Sequence, residues 1–226
     1  MALQVWLPLN GTLENKGLSN ITVTNNGATV NNNGKIGKCY STNGTYLVAN
    51  NPITSANTNL TITGWVYLNS GNYAYIYSCR TGTGGPGLFI SLETGCSIFD
   101  DGTRWSTTYK IPLNTWVHFA FTRNNNGKKL YINGELHSST TTLGNMSGIH
   151  TKMYLGRNFY GDTASTSSDM KMNDFRIYDH CLSAKEVKEI SKGLILHYKL
   201  DGNDIGITIP RNGGLIPDGV ELYDYI

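Results

Sequence analysis

The sequence is poor in charge and contains no long apolar run. Charged residues make up 15% of the 226 residues, and 18 basic against 16 acidic side chains leave a formal net charge of +2. No cluster of Lys and Arg provides the positive surface that a phosphate backbone requires. No stretch approaches the roughly 20 apolar residues of a membrane-spanning helix. Nucleic-acid binding and membrane insertion are therefore not expected.

Cysteine motifs and a signal peptide are also missing. The four cysteines, Cys39, Cys79, Cys96 and Cys181, are widely spaced and form no C-x-x-C pair. A zinc knuckle or a redox motif is therefore not indicated, and free thiols are expected. The first residues lack the basic and apolar regions of a secretory signal. We expect either a protein made in the cytoplasm that reaches a virion or an extracellular surface by assembly or lysis, or a trimmed piece of a longer protein.

Glycine and asparagine are abundant and mark turns between short apolar alternations. The chain has 26 glycines, and Asn-Gly pairs favour the positive φ of tight hairpin turns. The clearest hairpin joins residues 116–123 to residues 128–132, and a second turn follows at Asn133 and Gly134. One helix is predicted over 183–190, where Ser183 and Glu186 have capping-box spacing. Many short strands and a single helix predict an all-β sandwich.

The start of the sequence recurs near its end. Residues 193–202 match residues 2–11 in their period-two apolar pattern, and both segments end in Asn or Asp followed by Gly. Such self-similarity directly after a helix favours a module repeat over a chance likeness of two edge strands. The sequence therefore predicts a domain at 1–192 and an extension at 193–226. The extension is either the first strand of a second module or a tail of the first.

Three segments share a characteristic order and spacing. Residues 59–67 read NLTITGWVY, and residues 114–136 contain W-V-H-F-A-F-T followed by L-Y-I-N-G. Residues 153–187 contain L-G-R-N, then D-F-R-I-Y and L-S-A-K-E-V. In this order the segments resemble the concanavalin A-like lectin/glucanase superfamily, and within it the laminin-G-like jelly-roll domains. The resemblance covers residues 3–192.

The resemblance implies two antiparallel sheets packed face to face as a jelly roll, which agrees with the alternation and the turns. Lectins, adhesive modules and glucanases share this fold. Joined modules without a signal peptide are similar to structural or host-attachment proteins of bacteriophages. We therefore expect a non-catalytic carbohydrate-binding or adhesion module of a phage virion, with host-surface glycans and other virion proteins as partners. A purely structural virion or decoration protein is the alternative, and homo-oligomerisation stays open.

A glucanase is the less favoured hypothesis because the carboxylate pattern is missing. Glycosidases need two carboxylates roughly 5 to 9.5 Å apart, and the glucanases of this fold carry them on one strand as E-x-D-x-E. None of the six glutamates lies in such a pattern; they are Glu14, Glu93, Glu135, Glu186, Glu189 and Glu221. We expect no enzymatic activity.

Three groups of aromatic and charged side chains are candidates for a sugar-binding surface, because rings stack on sugar C–H groups and polar groups bond hydroxyls. The first group lies on one strand, where alternation places three rings on one face, either outward toward a ligand or inward as core. The second lies at a turn, and the third in a long loop. In this order the groups are Tyr73, Tyr75 and Tyr77; Asp101, Arg104 and Trp105; and Arg157 with Tyr160.

The resemblance also implies a calcium site. Family members often hold a structural Ca²⁺ between the first loop and the strand that begins D-x-R-I-Y, and the matching positions are Asn10, Asn15 and Asp174. Calcium prefers about six to eight oxygen ligands, several of them anionic. Asparagines in place of aspartates predict weak affinity. Asp174 is expected either to bind the ion or to accept backbone hydrogen bonds.

Overall fold

The computed structural model describes residues 2–54, 56–71, 73–81, 88–93, 97–100, 103–144, 146, 148–160 and 163–193. All of them belong to one unit, Met1–Gly193. The segment predicted to open a second module lies outside the described residues from 194 onward. Asp101 and the side chains of Tyr73 and Tyr160 lie outside them as well.

In this part of the chain there are seventeen strands and one helix. The strands are β1 (Leu3–Leu7), β2 (Val23–Asn26), β3 (Thr29–Asn31), β4 (Cys39–Thr42), β5 (Tyr46–Asn50), β6 (Leu60–Ser70), β7 (Tyr73–Arg80), β8 (Leu88–Glu93), β9 (Ser97–Asp100), β10 (Thr103–Ser106), β11 (Trp116–Asn124), β12 (Gly127–Ile132), β13 (Glu135–Thr140), β14 (Ile149–Leu155), β15 (Arg157–Tyr160), β16 (Thr163–Ser167) and β17 (Asp169–Tyr178). The helix is α1 (Ala184–Ile190). Over the described ranges, no helix has the length and apolar character that a membrane span needs.

The strands form two sheets. Sheet A has the order β13-β12-β11-β6-β17-β4-β3, with β1 paired to β17. Sheet B has the order β10-β9-β8-β7-β14-β5-β2, and β15 pairs with both β16 and β7. Apart from the parallel contact of β15 with β7, the neighbouring strands run antiparallel. The predicted all-β, two-sheet jelly-roll sandwich with one short helix is confirmed.

The core lies between the two sheets and is filled by alternate side chains of each strand. Burial of this apolar surface is the main favourable term in folding. In the centre of sheet A the inward side chains are Leu60, Ile62, Val66 and Leu68 from β6, Val117, Phe119 and Phe121 from β11, and Met170, Met172, Phe175 and Ile177 from β17. Because successive side chains of a strand point to opposite faces, the remaining residues of these strands form the outer face of sheet A.

The turns predicted around β12 are present. Strands β11 and β12 pair up to Asn124 and Gly127 and leave a two-residue turn between them. Asn133 and Gly134, with φ values of 50° and 83°, join β12 to β13, and two successive positive φ values are typical of a type I′ turn. Asn133 Oδ1 also accepts a hydrogen bond of 2.9 Å from the main-chain N–H of His118. This side chain therefore ties the turn to strand β11.

Helix α1 begins at the predicted capping box. The N–H of Glu186 donates to Ser183 Oγ at 3.3 Å, and the N–H of Ser183 donates to Glu186 Oε2 at 2.7 Å, so two N–H groups at the helix start are satisfied. Val187 is buried and packs against Ala120 and Tyr131, which lie on the outer face of sheet A. The helix therefore covers one end of that outer face.

The candidate sugar-binding residues Tyr75 and Tyr77 are both buried, and a β-bulge in β7 lies between them. Tyr75 pairs with Ser91 and Tyr77 pairs with Ile90, so Ile76 is an extra residue on β7. A bulge of this kind interrupts the alternation, and Tyr77 joins Ile76 in the core with no exposed surface. Tyr75 is only 7% exposed. Neither ring is therefore available for the outward stacking surface that alternation alone suggested.

We expect Tyr77→Ala to lower the free energy of unfolding by about 3 to 5 kcal/mol, because it removes a fully buried ring. Tyr77→Phe keeps the ring but loses the hydrogen bond of 2.8 Å that the phenol donates to Asn51 Oδ1, and it should cost about 1 kcal/mol. Urea unfolding followed by tryptophan fluorescence measures both variants. If Tyr77→Ala were no more harmful than Tyr77→Phe, the bulged register of β7 would be contradicted.

Candidate functional site

The candidate groups found in the sequence do not converge in the structure. Tyr75 lies on β7, whereas Arg104 and Trp105 lie on β10 at the edge of sheet B, three strands away. Arg157 lies on β15, which contacts the other side of β7. These four described residues therefore lie on three different strands of sheet B.

Trp105 is not the exposed anchor that its turn position suggested. Its indole is half-buried and packs against the main core, and Lys128 Nζ lies 5.9 Å from the ring centre. Arg104, the preceding residue of β10, is exposed. Because neighbouring side chains of a strand point to opposite faces, Trp105 faces inward where Arg104 faces solvent.

The loop expected around Arg157 is instead a hairpin of β15 and β16. Phe159 stacks on Tyr154 with ring centres 3.8 Å apart, and both rings are buried. Arg157 Nη1 donates a hydrogen bond of 2.8 Å to the carbonyl of Gly44, and its guanidinium lies 5.9 Å from the Tyr46 ring centre. The rings of Tyr46, Tyr154 and Phe159 pack against one another, so they offer little surface to a ligand.

The residues at the expected calcium position do not fit a calcium ion. Asp174 is buried, and its two carboxylate oxygens accept hydrogen bonds of 2.9 Å from Arg176 Nε and Nη2, while Trp6 Nε1 donates to Oδ1 at 2.8 Å. The Oδ1 of Asn15 accepts from the main-chain N–H of Trp6, and Asn10 is exposed. A bidentate guanidinium already neutralises the carboxylate where the cation would bind. Among the described residues, no three His, Cys, Asp or Glu side chains cluster as metal ligands.

A β-bulge in β17 brings Asp174 to this position. The pairing of β17 with β6 shifts between Asn173 and Arg176, and Asp174 within the bulge has a φ of 53°, which Asp tolerates better than most residues. On β6, a Cβ at Gly64 would lie 3.3 Å from the Cα of Phe175. Glycine therefore makes room for the bulge, which directs Asp174 toward its arginine partner.

A buried polar network lies in the middle of the outer face of sheet A. His118 Nε2 is 2.8 Å from Thr63 Oγ1, and the Thr63 hydroxyl donates to the main-chain oxygen of Phe119 at 2.9 Å. Since the hydroxyl has one proton, His118 donates through its Nε2–H, which fixes the neutral tautomer. Burial, with a smaller effect from the charge of Arg176, lowers the pKa of His118 from 6.5 to about 3. The Trp65 ring packs edge-on against this imidazole, with ring centres 5.2 Å apart.

Next to this network, the outer face of sheet A carries a row of half-buried aromatic and polar side chains. Tyr67 on β6 pairs with Trp116 on β11 and with Lys171 on β17. The Tyr67 and Trp116 ring centres are 5.5 Å apart, and Lys171 Nζ lies 4.4 Å from the Tyr67 ring centre. Asn69 Nδ2 donates a hydrogen bond of 2.8 Å to Asp169 Oδ1. We call these five residues the aromatic platform.

The aromatic platform combines ring surface with an amide, a carboxylate and an ammonium group. Such a set is suited to a ligand that has both C–H faces and hydroxyl groups, because the rings stack while the polar groups fix the orientation. A cavity elsewhere, lined in part by Gln4, Ile53 and Tyr178, has room for about one water molecule. That cavity is therefore too small for a ligand of several atoms.

The sequence contained part of the signal for this platform. Trp65, Tyr67 and Asn69 alternate with Val66 and Leu68, a pattern that places the aromatic and amide side chains together on one face. The contribution of strands β11 and β17 depends on which strands are neighbours and in which register. Local sequence patterns do not reveal that pairing.

Comparison with known proteins gives one family and many similar folds. The family model for the concanavalin A-like lectin/glucanases superfamily matches residues 41–188. Domain 4 of an extracellular arabinanase from Geobacillus stearothermophilus, solved in complex with arabinotriose, superposes with a TM-score of 0.66 at 21% identity over 84% of this chain and 98% of that chain. A comparison with curated protein sequences gives no match.

Botulinum neurotoxin structures are similar as well. The receptor-binding domain of type G has a TM-score of 0.63 and 18% identity, with 85% of this chain and 51% of that chain covered. Type C, whose cell entry depends on interaction with two ganglioside molecules, has a TM-score of 0.67 and 16% identity, with 85% and 51% covered. The chain thus spans about half the length of these toxin chains. At such identities the likeness shows the shared fold.

The depressed pKa of His118 predicts a pH-dependent stability. Unfolded His118 binds a proton near its ordinary pKa of 6.5, whereas the folded protein takes it up only near 3. Between these values the unfolded state binds more protons, so stability falls as the pH is lowered. Between about pH 7 and about pH 5, the protonation of His118 in the unfolded state should lower the free energy of unfolding by roughly 2 kcal/mol.

Urea unfolding at several pH values measures this dependence. His118→Gln, whose side-chain amide can still donate toward Thr63, should be less stable at neutral pH but should lose less stability between about pH 7 and about pH 5. An equal loss in the wild-type protein and in His118→Gln would contradict the buried, neutral imidazole.

Proposed function

The chain belongs to the concanavalin A-like lectin/glucanases superfamily, and from that premise we propose that it is a non-catalytic carbohydrate-binding module. The ligand in this proposal is an extended glycan that lies across the aromatic platform of sheet A. The observation that carries the proposal is the half-buried ring pair of Tyr67 and Trp116, with centres 5.5 Å apart, beside polar side chains on two neighbouring strands.

The two rings supply the stacking surface in this proposal. Lys171 lies over the ring of Tyr67, so the indole of Trp116 is the ring on which a sugar has the more direct access. Trp116 borders residues 112–115, which are all exposed. A sugar stacked on this indole would find Asn69, Asp169 and Lys171 along the row, and each of them can bond a hydroxyl group.

The similar structures support a carbohydrate as the partner. One is an arabinanase domain with bound arabinotriose, and another belongs to a toxin whose cell entry depends on gangliosides. These ligands are those of other proteins at low identity. They support the class of ligand for this chain but give no information on its sugar.

The surroundings of the carboxylates support a binding module over a glucanase. Hydrolysis needs one carboxyl group as an acid and a second as a base or nucleophile on either side of the scissile bond. Every glutamate whose side chain the structure describes is engaged in another interaction. Glu14, Glu135 and Glu189 pair with Lys16, Lys188 and Lys192, and Glu186 caps α1. Asp174 is held by Arg176.

The wider setting that we propose is adhesion at a virion or extracellular surface, with host-surface glycans as the partners. Its support is the similarity of joined modules, without a recognisable secretory signal in their first residues, to structural or host-attachment proteins of bacteriophages. The half-exposed position of the aromatic platform is compatible with contact to a large surface polysaccharide.

We expect Trp116→Ala to weaken glycan binding strongly while the domain stays folded. Removal of a central aromatic contact typically costs about 2 kcal/mol or more in binding, which is roughly a thirtyfold loss of affinity. Affinity electrophoresis and calorimetry with arabinan, xylan, mixed-linkage β-glucan, pectate and hyaluronan, backed by a broad glycan array, measure binding. Thermal unfolding of the same variant checks the fold.

Tyr46→Ala is the matched control, because Tyr46 is a half-buried ring on sheet B that lies outside the platform. It should bind as the wild-type protein does. Two results would overturn the proposal: no binding of the wild-type protein to any glycan tested, or wild-type affinity in a folded Trp116→Ala variant.

A further inference from the structure

Two lysine ammonium groups lie over aromatic rings on the outer face of sheet A, and neither has a carboxylate partner among the described residues. Lys171 Nζ is 4.4 Å from the Tyr67 ring centre, and Lys35 Nζ is 4.5 Å from the Trp65 ring centre. Trp65 and Tyr67 are neighbours on the outer face of β6. Over the described ranges, neither ammonium group forms an ion pair, whereas Lys188 pairs with Glu135 on the same sheet.

The single carboxylate of the platform, Asp169, offsets at most one of these two charges. Asp169 accepts hydrogen bonds of 2.8 Å from Asn69 Nδ2 and from Ser70 Oγ, one on each oxygen. Both donors are neutral groups. Two ammonium groups against one carboxylate leave a net charge of +1 on the row formed by Lys35 and the platform.

The rings hold the ammonium groups in place. An ammonium group within about 6 Å of a ring centre is attracted by the negative face of the ring. This attraction holds the two ammonium groups over the rings. An ammonium group has three N–H donors, so those that do not point at the ring can donate to an anion. A sugar stacked on Trp116 would present its substituents to Lys171, which lies on the other side of Tyr67.

We infer that the platform selects acidic glycans, meaning sugars that carry a carboxylate or a sulfate group, and that Lys171 and Lys35 bind this anion. The inference rests on the proposed function and adds the substrate class. A neutral sugar would leave both ammonium charges unmatched, whereas an anionic substituent accepts a charge-assisted hydrogen bond from at least one of them. Lys171 is the primary contact because it belongs to the platform itself.

The experiment uses matched pairs of polysaccharides that differ only in charge. These are pectate and hyaluronan with their carboxyl-reduced forms, and chondroitin sulfate with its desulfated form. Calorimetry on the full chain is carried out in about 20 mM and about 300 mM NaCl, because screening by salt weakens contacts between exposed charges. Pectate and hyaluronan, each compared with its carboxyl-reduced form, test for recognition of a carboxylate. Chondroitin sulfate, compared with its desulfated form, tests for recognition of a sulfate group.

We expect one or more acidic polysaccharides to bind about tenfold more tightly than their neutral partners at low salt, with the difference shrinking at high salt. Lys171→Gln should weaken binding of the acidic form about fivefold more than binding of the neutral form, because the amide can still bond a hydroxyl group but carries no charge. The double variant Lys35→Gln, Lys171→Gln should bind both forms equally. Lys152→Gln is the charge-matched control, since Lys152 is an exposed lysine on sheet B.

The outcomes separate this inference from the proposed function. Equal binding of acidic and neutral forms, binding of neutral glycans alone, or an unchanged preference in Lys171→Gln would overturn the acidic selectivity and leave the carbohydrate-binding proposal standing. An acidic preference that Lys152→Gln removes as effectively as Lys171→Gln would also overturn it, because the preference would then reflect total charge. Failure to bind any glycan would overturn the proposed function itself.

Discussion

Strand β6 can bury only one of its two faces in the core, and the arrangement of the outer surface of sheet A depends on this constraint. Leu60, Ile62 and the other apolar residues of β6 face sheet B, where burial of each large apolar side chain contributes about 1.5 to 3 kcal/mol. The same register turns Trp65, Tyr67 and Asn69 outward. A shift by one residue would expose the apolar set, so the stability of the core also fixes the platform.

The outer face of sheet A is divided into three zones along its strands. At one end helix α1 covers Ala120 and Tyr131. In the middle lie two buried polar groups, the hydrogen-bonded His118 and Thr63 and the ion pair of Asp174 and Arg176. Burial lowers the pKa of Arg176, but the Asp174 carboxylate and the Tyr178 hydroxyl outweigh this effect and raise it, so the guanidinium stays charged. Among the described residues of this face, the third zone, the aromatic platform, combines half-buried rings with a lysine that forms no ion pair. This combination is the reason for proposing a binding site there.

The sequence predicted the features that depend on local chemistry. The β11–β12 hairpin, the turn at Asn133 and Gly134, and the capping box of Ser183 and Glu186 follow from residues close together in the chain. Each is determined by side-chain and backbone preferences that act over a few residues. The two-sheet fold followed from alternation and from the resemblance of three segments to one family.

The features that depend on distant pairing were not predictable in the same way. Ile76 is an extra residue on β7 and places Tyr77 in the core. The local alternation of side chains does not predict this bulge. The expected calcium ligand Asp174 is instead engaged by Arg176 two residues later, an arrangement that the bulge in β17 makes possible. The platform needs three strands in register, whereas the local sequence around Trp116 indicates only a hairpin.

We propose that the ligand binds on the aromatic platform. An NMR titration of the indole N–H signals with a glycan that binds, acidic or neutral, tests this proposal most directly. The chain has four tryptophans, and they report on four places: Trp6 at Asp174, Trp65 beneath Lys35, Trp105 on sheet B and Trp116 on the platform. Binding on the platform should give the largest shift at Trp116, a smaller one at Trp65 and none at Trp105. A titration in which Trp105 shifts and Trp116 does not would contradict it.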